Sequence, residues 1–285
     1  NYKSVIIFRV RKNRYLFSRD CLYNEKWEVK MTNKDILKIA MQQSAIDSNC
    51  NADDFMSCEN KVVISKDSDG ARRYLKLPFL CDFTSYGNNI VASVSENFAE
   101  IAKEYISKFP IEHCFETPNL HWFIEKIQGF NVNVCFMAEY FLPNLDNFPI
   151  LKCKFDTKVL TKTDFKDLYL PQWSNALCEN RKHLDILGVG AYHNGKLIGL
   201  AACSADCDTM WQIGVDVLRE YRRQGIASAI TNQLAHEILK RNVVPFYCCA
   251  WSNIKSARNA IKSGFVPSWV QLTVKSKDFI DDINK

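Results

Sequence analysis

The sequence predicts a mixed αβ fold: a mostly antiparallel sheet flanked by helices over residues 151–285, preceded by a smaller αβ domain. Three observations carry that prediction. Strand-like and helical periodicities alternate from residue 151 onward. His193-Asn194-Gly195 separates two apolar runs, the strongest short-range hairpin signal in the chain. The strand-like MWQIGVDV passes through REYRRQG into a helical pattern at Gly225.

In the first half, the MTNKDILKIAMQQSA stretch from Met31 is amphipathic and reads as the first helix, whereas residues 1–30 read as an extension that is either strand-rich or processed. NKVVISK and NNIVASV read as strands. In SENFAEIAKEYISKF the residues Phe98, Ile101, Ala102, Tyr105, Ile106 and Phe109 share one helical face, and Pro110 stops the helix. TPNLHWFIEKIQGF adds a second helix with Thr117 as N-cap, Pro118 in the first turn and Gly129 past the end. NVNVCFMAEYFL reads as a buried strand, and the two prolines of PNLDNFPILK place a domain boundary near residue 150, giving domains 1–150 and 151–285.

In the second half, LKCKFDTKVLT reads as a strand, and KTDFKDLYL and PQWSNALCENRK read as short helices separated at Pro171. DILGVGAY, KLIGLAAC and MWQIGVDV form a three-strand meander. A helix from about Gly225 to Lys240 follows, with Ile226, Ile230, Leu234 and Ile238 inward, then strand VPFYCCAW, helix NIKSARNAIKS and strand WVQLTV.

The bulk composition narrows the function classes. Of the residues 47% are hydrophobic and 24% charged, enough apolar surface for a substantial core. The net charge of +5 is spread without a polybasic run, so neither nucleic acid nor an anionic membrane is expected as a partner. No apolar stretch reaches the length of a membrane span, and the expectation is a cytoplasmic chain. The twelve cysteines are scattered singly through apolar stretches, as reduced thiols would be. Cys203, Cys207, Cys248 and Cys249 lack the spacing of a zinc ribbon or finger, so no metal is expected.

The turn into the helix at Gly225 carries the chemistry. A helix start leaves backbone N–H groups unpaired at the positive end of the macrodipole, so amides from Arg223 to Ala227 suit a diphosphate. Gly225 permits close approach, Ala227 leaves room, and Arg222 or Arg223 can add charge-assisted bonds. The competing reading, a loop glycine beside solvated arginines, stays open on the turn alone. GVGAYHNG has His193 where a dinucleotide fingerprint needs its third glycine, and no Gly-Lys-Ser/Thr loop is present.

Arg222, Arg223, Gln224, Gly225, Ile226 and Ala227 match the fingerprint of the GNAT superfamily of acyl-CoA-dependent N-acyltransferases. Val215-x-Val217 and Glu220-Tyr221 precede it as in that family, and NIKSARNAIKSGF follows at family spacing through Asn253, Ser256, Lys262, Gly264 and Phe265. Residues 151 to about 275 thus resemble the family. The resemblance implies acetyl-CoA as co-substrate and a primary amine, a small molecule, as acceptor. It further implies that the main chain of Val215 and Val217 pairs with the pantetheine arm and that Asn253 and Ser256 lie near the thioester, although both are also ordinary helix-capping residues. A homodimer is compatible with it. Many members carry a tyrosine seven residues after the asparagine, and here Ala260 stands there. The usual carboxylate base falls near Trp211, leaving Asp208 and Asp216 as candidate bases, with Asp206 beside them, against a reading of ordinary turn chemistry for the turn aspartates. Ala260 sustains a second reading, a CoA-binding sensor or scaffold with little or no transfer.

Overall fold

The computed structural model describes residues 31–285, so the expectations for residues 1–30 lie outside the described residues. Helix α1 (Asn33–Ser48) starts where Thr32 and Asp35 form a reciprocal capping box and ends at Asn49 in the left-handed region, at φ +60°. Strands β1 (Lys61–Ile64), β2 (Cys81–Ser85) and β3 (Val91–Val94) lead to α2 (Ala99–Lys108), α3 (Thr117–Ile127) and β4 (Val132–Pro143). Strands β5 (Asp156–Thr161), β6 (Asp185–His193), β7 (Lys196–Ser204) and β8 (Met210–Val217) follow. Helix α4 (Ile226–Leu239), β9 (Val244–Ala250), α5 (Ile254–Lys262), β10 (Phe265–Ser276) and α6 (Lys277–Ile283) complete the chain.

The ten strands of the described residues form one sheet in the order β1-β3-β2-β10-β4-β9-β8-β7-β6-β5, in which, among the described residues, only the β1–β3 and β8–β9 pairs are parallel. The expected mixed, mostly antiparallel sheet is therefore present. Strand β4, from the first half of the chain, lies between β9 and β10 of the second half, paired Phe141↔Tyr247 on one side and Glu139↔Val270 on the other. Asn194 and Gly195, at φ +50° and +78°, make the two-residue hairpin between β6 and β7 that the Asn-Gly pair predicts.

Several local expectations need correction. Residues 162–181 form short 3-10 turns rather than two helices: Phe165 and Trp173 are each anchored in the core, and Pro171 divides the segment, leaving no run that sustains successive α-helical bonds. Glu116, not Thr117, is the N-cap of α3; Thr117 is its first residue. β4 is buried only at Val132 and over Tyr140–Pro143, and Phe136 is exposed, because the helices cover the strand unevenly. Strand β2 and helix α6 carry no signal that the periodicity picks out: CDFTS is buried throughout, so it does not alternate.

The core splits by sheet face. Over the second half, α4 buries Ile226, Ile230, Leu234 and Ile238 against Val189, Ala201 and Ile213. Leu120, Phe123 and Ile127 of α3 and Tyr105 of α2 pack with Phe83 and Leu272 in a second cluster. Helix α1 sits with Tyr140, Phe246 and Trp269 in a third.

Candidate functional site

The turn after β8 has an unusual backbone. Residues 219–221 make a 3-10 turn, Arg222 is extended, Arg223 adopts φ +61°, and Gly225 adopts φ +78° before α4 begins at Ile226. Buried Ile226 holds the helix start against the sheet. Among the described residues, no protein acceptor takes the N–H groups of Arg223, Gln224, Gly225, Ile226, Ala227 or Ser228. No acidic side chain occupies the first turn of α4, so its positive dipole end is uncompensated. A Cβ placed on Gly225 would meet nothing within 4 Å, which makes the turn an open cradle. Arg222 Nε donates to the Val217 carbonyl at 2.9 Å and ties the turn to its strand, whereas Arg223 and Gln224 are exposed.

Beside this turn the sheet opens. β8 and β9 pair from Met210↔Val244 to Ile213↔Tyr247 and no further. Beyond that point β8 continues paired with β7 alone, through Val215↔Ala201 and Val217↔Gly199, while β9 continues paired with β4 alone, through Ala250↔Ala138. The Leu218 N–H donates to the Ile198 carbonyl at 2.9 Å, which sets the phase of the antiparallel ladder. Alternation then directs the main-chain groups of Gly214 and Asp216 to β7 and those of Val215 and Val217 to the side where β9 has departed. The result is a V between two strands with an unpaired strand edge on one arm and the free amides of α4 at its mouth.

Helix α5 roofs the β9 arm. Asn253 is its N-cap, accepting from the Ser256 N–H at 3.2 Å, so its capping role is realised. The Ser256 hydroxyl lies 2.8 Å from the Tyr247 hydroxyl, at the last paired position of β9. Burial pushes the Tyr247 phenol up, opposed by hydrogen bonds to Ser256 and Asn259. Ala260 is fully buried in the core. On the opposite sheet face Gln212 Nε2 donates to Cys248 Sγ at 3.0 Å, and burial pushes that thiol up to about 12. Nearby, Arg72 is ion-paired with Asp47 and boxed by the rings of Tyr74, Tyr140, Phe246 and Trp269, at 5.7 to 6.0 Å. The next residue, Arg73, bonds the Asp206 and Ala205 carbonyls, so a segment of the first half covers this face of the opening.

Of the two candidate bases, Asp216 accepts from the Asn175 N–H at 2.8 Å, Asn175 Nδ2 at 2.7 Å and the Ala176 N–H at 3.0 Å. It pins the loop that crosses Gly214, where any Cβ would collide with the Asn175 carbonyl. Asp208 is 90% exposed and pairs with Arg73 at 2.8 Å in the β7–β8 turn, outside the V. Asp206 is buried, bonded to Ser204 and Arg181, and burial raises its pKa to about 6. Among the described residues, no group of three or more His, Cys, Asp or Glu side chains could hold a metal ion.

The sequence reasoning passed over Glu139. It stands on β4 opposite Cys249, half-buried, with no hydrogen-bond or ion-pair partner among the described residues, and burial raises its pKa. The available signal was a single acid inside the apolar run VCFMAEYFL.

With this geometry described, comparisons with known proteins can be reported. The family model GNAT acetyltransferase matches residues 95–269, more than half of the chain and across residue 150. No curated protein matches. Among solved structures, a GCN5-related N-acetyltransferase-like protein from Streptococcus suis is 22% identical, with 56% of this chain and 68% of that chain covered and a TM-score of 0.41. A GNAT-family acetyltransferase from Colwellia psychrerythraea is 16% identical, with 56% and 63% covered and a TM-score of 0.40. A GCN5-related N-acetyltransferase from Kribbella flavida is 14% identical, with 55% and 63% covered and a TM-score of 0.38. The chain thus spans about two thirds of the length of these three structures.

Proposed function

This chain belongs to the GNAT acetyltransferase family, and from that premise we propose that it transfers the acetyl group of acetyl-CoA to a primary amine of a small molecule. The observation that carries the proposal is the V between β8 and β9, open beyond Ile213 and Tyr247, with unpartnered amides of α4 at its mouth.

The residues fit the co-substrate by a direct criterion: space at Gly225, a positive dipole end and no side-chain plug. The amides of Arg223 to Ala227 hold the diphosphate, and Arg223 adds charge from the rim. The exposed main chain of Val215 and Val217 pairs with the pantetheine arm as an added strand would, and Arg222 keeps the Val217 end of that edge in place. Asn253 and Ser256 stand at the start of α5 beside Tyr247. Holding two reactants in register supplies much of the rate in a direct transfer. The Val215 N–H is the candidate donor to the reacting carbonyl oxygen. With Ala260 lacking a hydroxyl, the Tyr247–Ser256 pair is the candidate proton source for the departing thiolate; the phenol's raised pKa keeps it protonated at neutral pH.

The second reading, CoA binding with little or no transfer, draws on one observation: the position where the family often carries its tyrosine is a core alanine. Release of free thiol from acetyl-CoA in the presence of a panel of primary amines separates the two. Turnover above hydrolysis supports transfer; saturable CoA binding with no amine-dependent thiol release leaves the sensor.

A further inference from the structure

Two adjoining hollows of about 680 and 460 Å³ lie where β4 and β10 pass the starts of α3 and α5. They share Phe115, Glu116 and Trp251 and together make one groove. Its chemistry is one-sided. Glu112, Glu116 and Glu139 line it, and among the described residues no lysine, arginine or histidine does, in a chain whose net charge is +5. Glu116 has His113 Nε2 at 3.9 Å, but among the described residues Glu139 has no cationic partner. The walls are aromatic: Trp251 is 41% exposed with Phe115 at a ring separation of 6.3 Å, and Tyr86 stacks on Trp269. Trp269 is only 3% exposed, and its indole nitrogen is itself buried.

Carboxylates grouped between aromatic faces are the physical complement of an organic ammonium, which gains from both the charge and the ring quadrupoles. The groove also adjoins the opening in the sheet. Glu139 pairs with Cys249, two residues beyond Tyr247 on β9, and diagonal cross-strand neighbours lie only about 7–8 Å apart.

We propose that the groove lined by Glu139, Glu116 and Trp251 binds a primary aliphatic ammonium. Its identification with the acetyl acceptor rests on the function proposed above; the binding itself does not. A binding experiment without coenzyme A keeps the two separate.

The test is calorimetric titration of the full chain with aminopentanol, pentanol and hydroxypentanoate, which share a chain and differ in charge. Aminopentanol alone should bind saturably. Glu139→Gln should weaken it by about tenfold or more, and Trp251→Ala, which removes an exposed ring without hollowing the core, should weaken it severalfold. Asp208→Asn, remote from the groove, should bind as the unaltered chain does. The proposal is overturned if the three probes bind alike, if none binds up to about 10 mM, or if both Glu139→Gln and Trp251→Ala bind aminopentanol undiminished. Coenzyme A titrated separately against the same samples reports on the turn at Gly225, so loss of one binding event does not implicate the other.

Discussion

Gly225→Glu isolates the diphosphate seat, because the structure separates its conformational cost from its electrostatic one. Gly225 sits at φ +78° with nothing within 4 Å of an added Cβ, so a side chain there meets no wall and carries only the strain of the left-handed region. That strain is about 1 kcal/mol for an L residue, a melting shift of about 2 °C in a chain of this size. The new carboxylate would stand about 6 Å from a phosphate held by the neighbouring amides, a repulsion of about 3 kcal/mol at an effective dielectric constant of about 20. The dissociation constant for CoA should rise about 100-fold. Gly225→Ala supplies the control, with the same strain and no charge, and should bind CoA within a few fold of the unaltered chain. Calorimetric titration of both variants, with melting curves to verify folding, measures each term. A folded Gly225→Glu chain that binds CoA as tightly as Gly225→Ala would refute the seat at this turn.

Three further expectations concern other parts of the structure. Tyr247→Phe should keep CoA affinity and lower amine-dependent thiol release about tenfold to 100-fold if the Tyr247–Ser256 pair donates the proton, read by comparing thiol release with binding for the same variant. Asp216→Ala should cost about 2–3 kcal/mol in chemical denaturation, since three donors of the Asn175–Ala176 loop lose their acceptor, whereas Asp208→Asn at the exposed turn should leave both stability and turnover unchanged. Asp82, buried and bonded to Gln271 and Thr273, has its pKa raised by burial from 3.8 to about 6. The folded state therefore holds its proton more tightly than the unfolded chain. Its contribution to stability is full below about pH 4 and is lost as pH rises through about 6; in Asp82→Asn the melting temperature should vary less with pH across that window.

Much of the second half was legible because its signals are local. Asn194-Gly195 forces a two-residue hairpin through its own backbone preferences, and the apolar stripe Ile226, Ile230, Leu234, Ile238 announces a helix with one buried face. The turn at Gly225 was equally legible, since a glycine between a strand and a helix start both permits φ above zero and exposes the amides that follow. Less was legible where a pattern is ambiguous. CDFTS is buried on both sides and lacks alternation, and PQWSNALCENRK has helical composition but too many interruptions to propagate helical bonds.

The sequence by itself determined the hairpin at Asn194-Gly195, the helix that starts after Gly225 with its free amides, and the alanine at residue 260. Only the tertiary structure decided that β4 inserts between β9 and β10, that β8 and β9 part after Ile213 and Tyr247, and that Asp216 spends its oxygens on a loop about forty residues away in sequence. It also brought Glu139 beside Trp251, over a hundred residues distant. The reason is physical: backbone preference and periodicity act over one or two turns of chain and report which face is apolar. The neighbour that covers a face, or leaves it open, is chosen by packing among segments that carry no mark of each other.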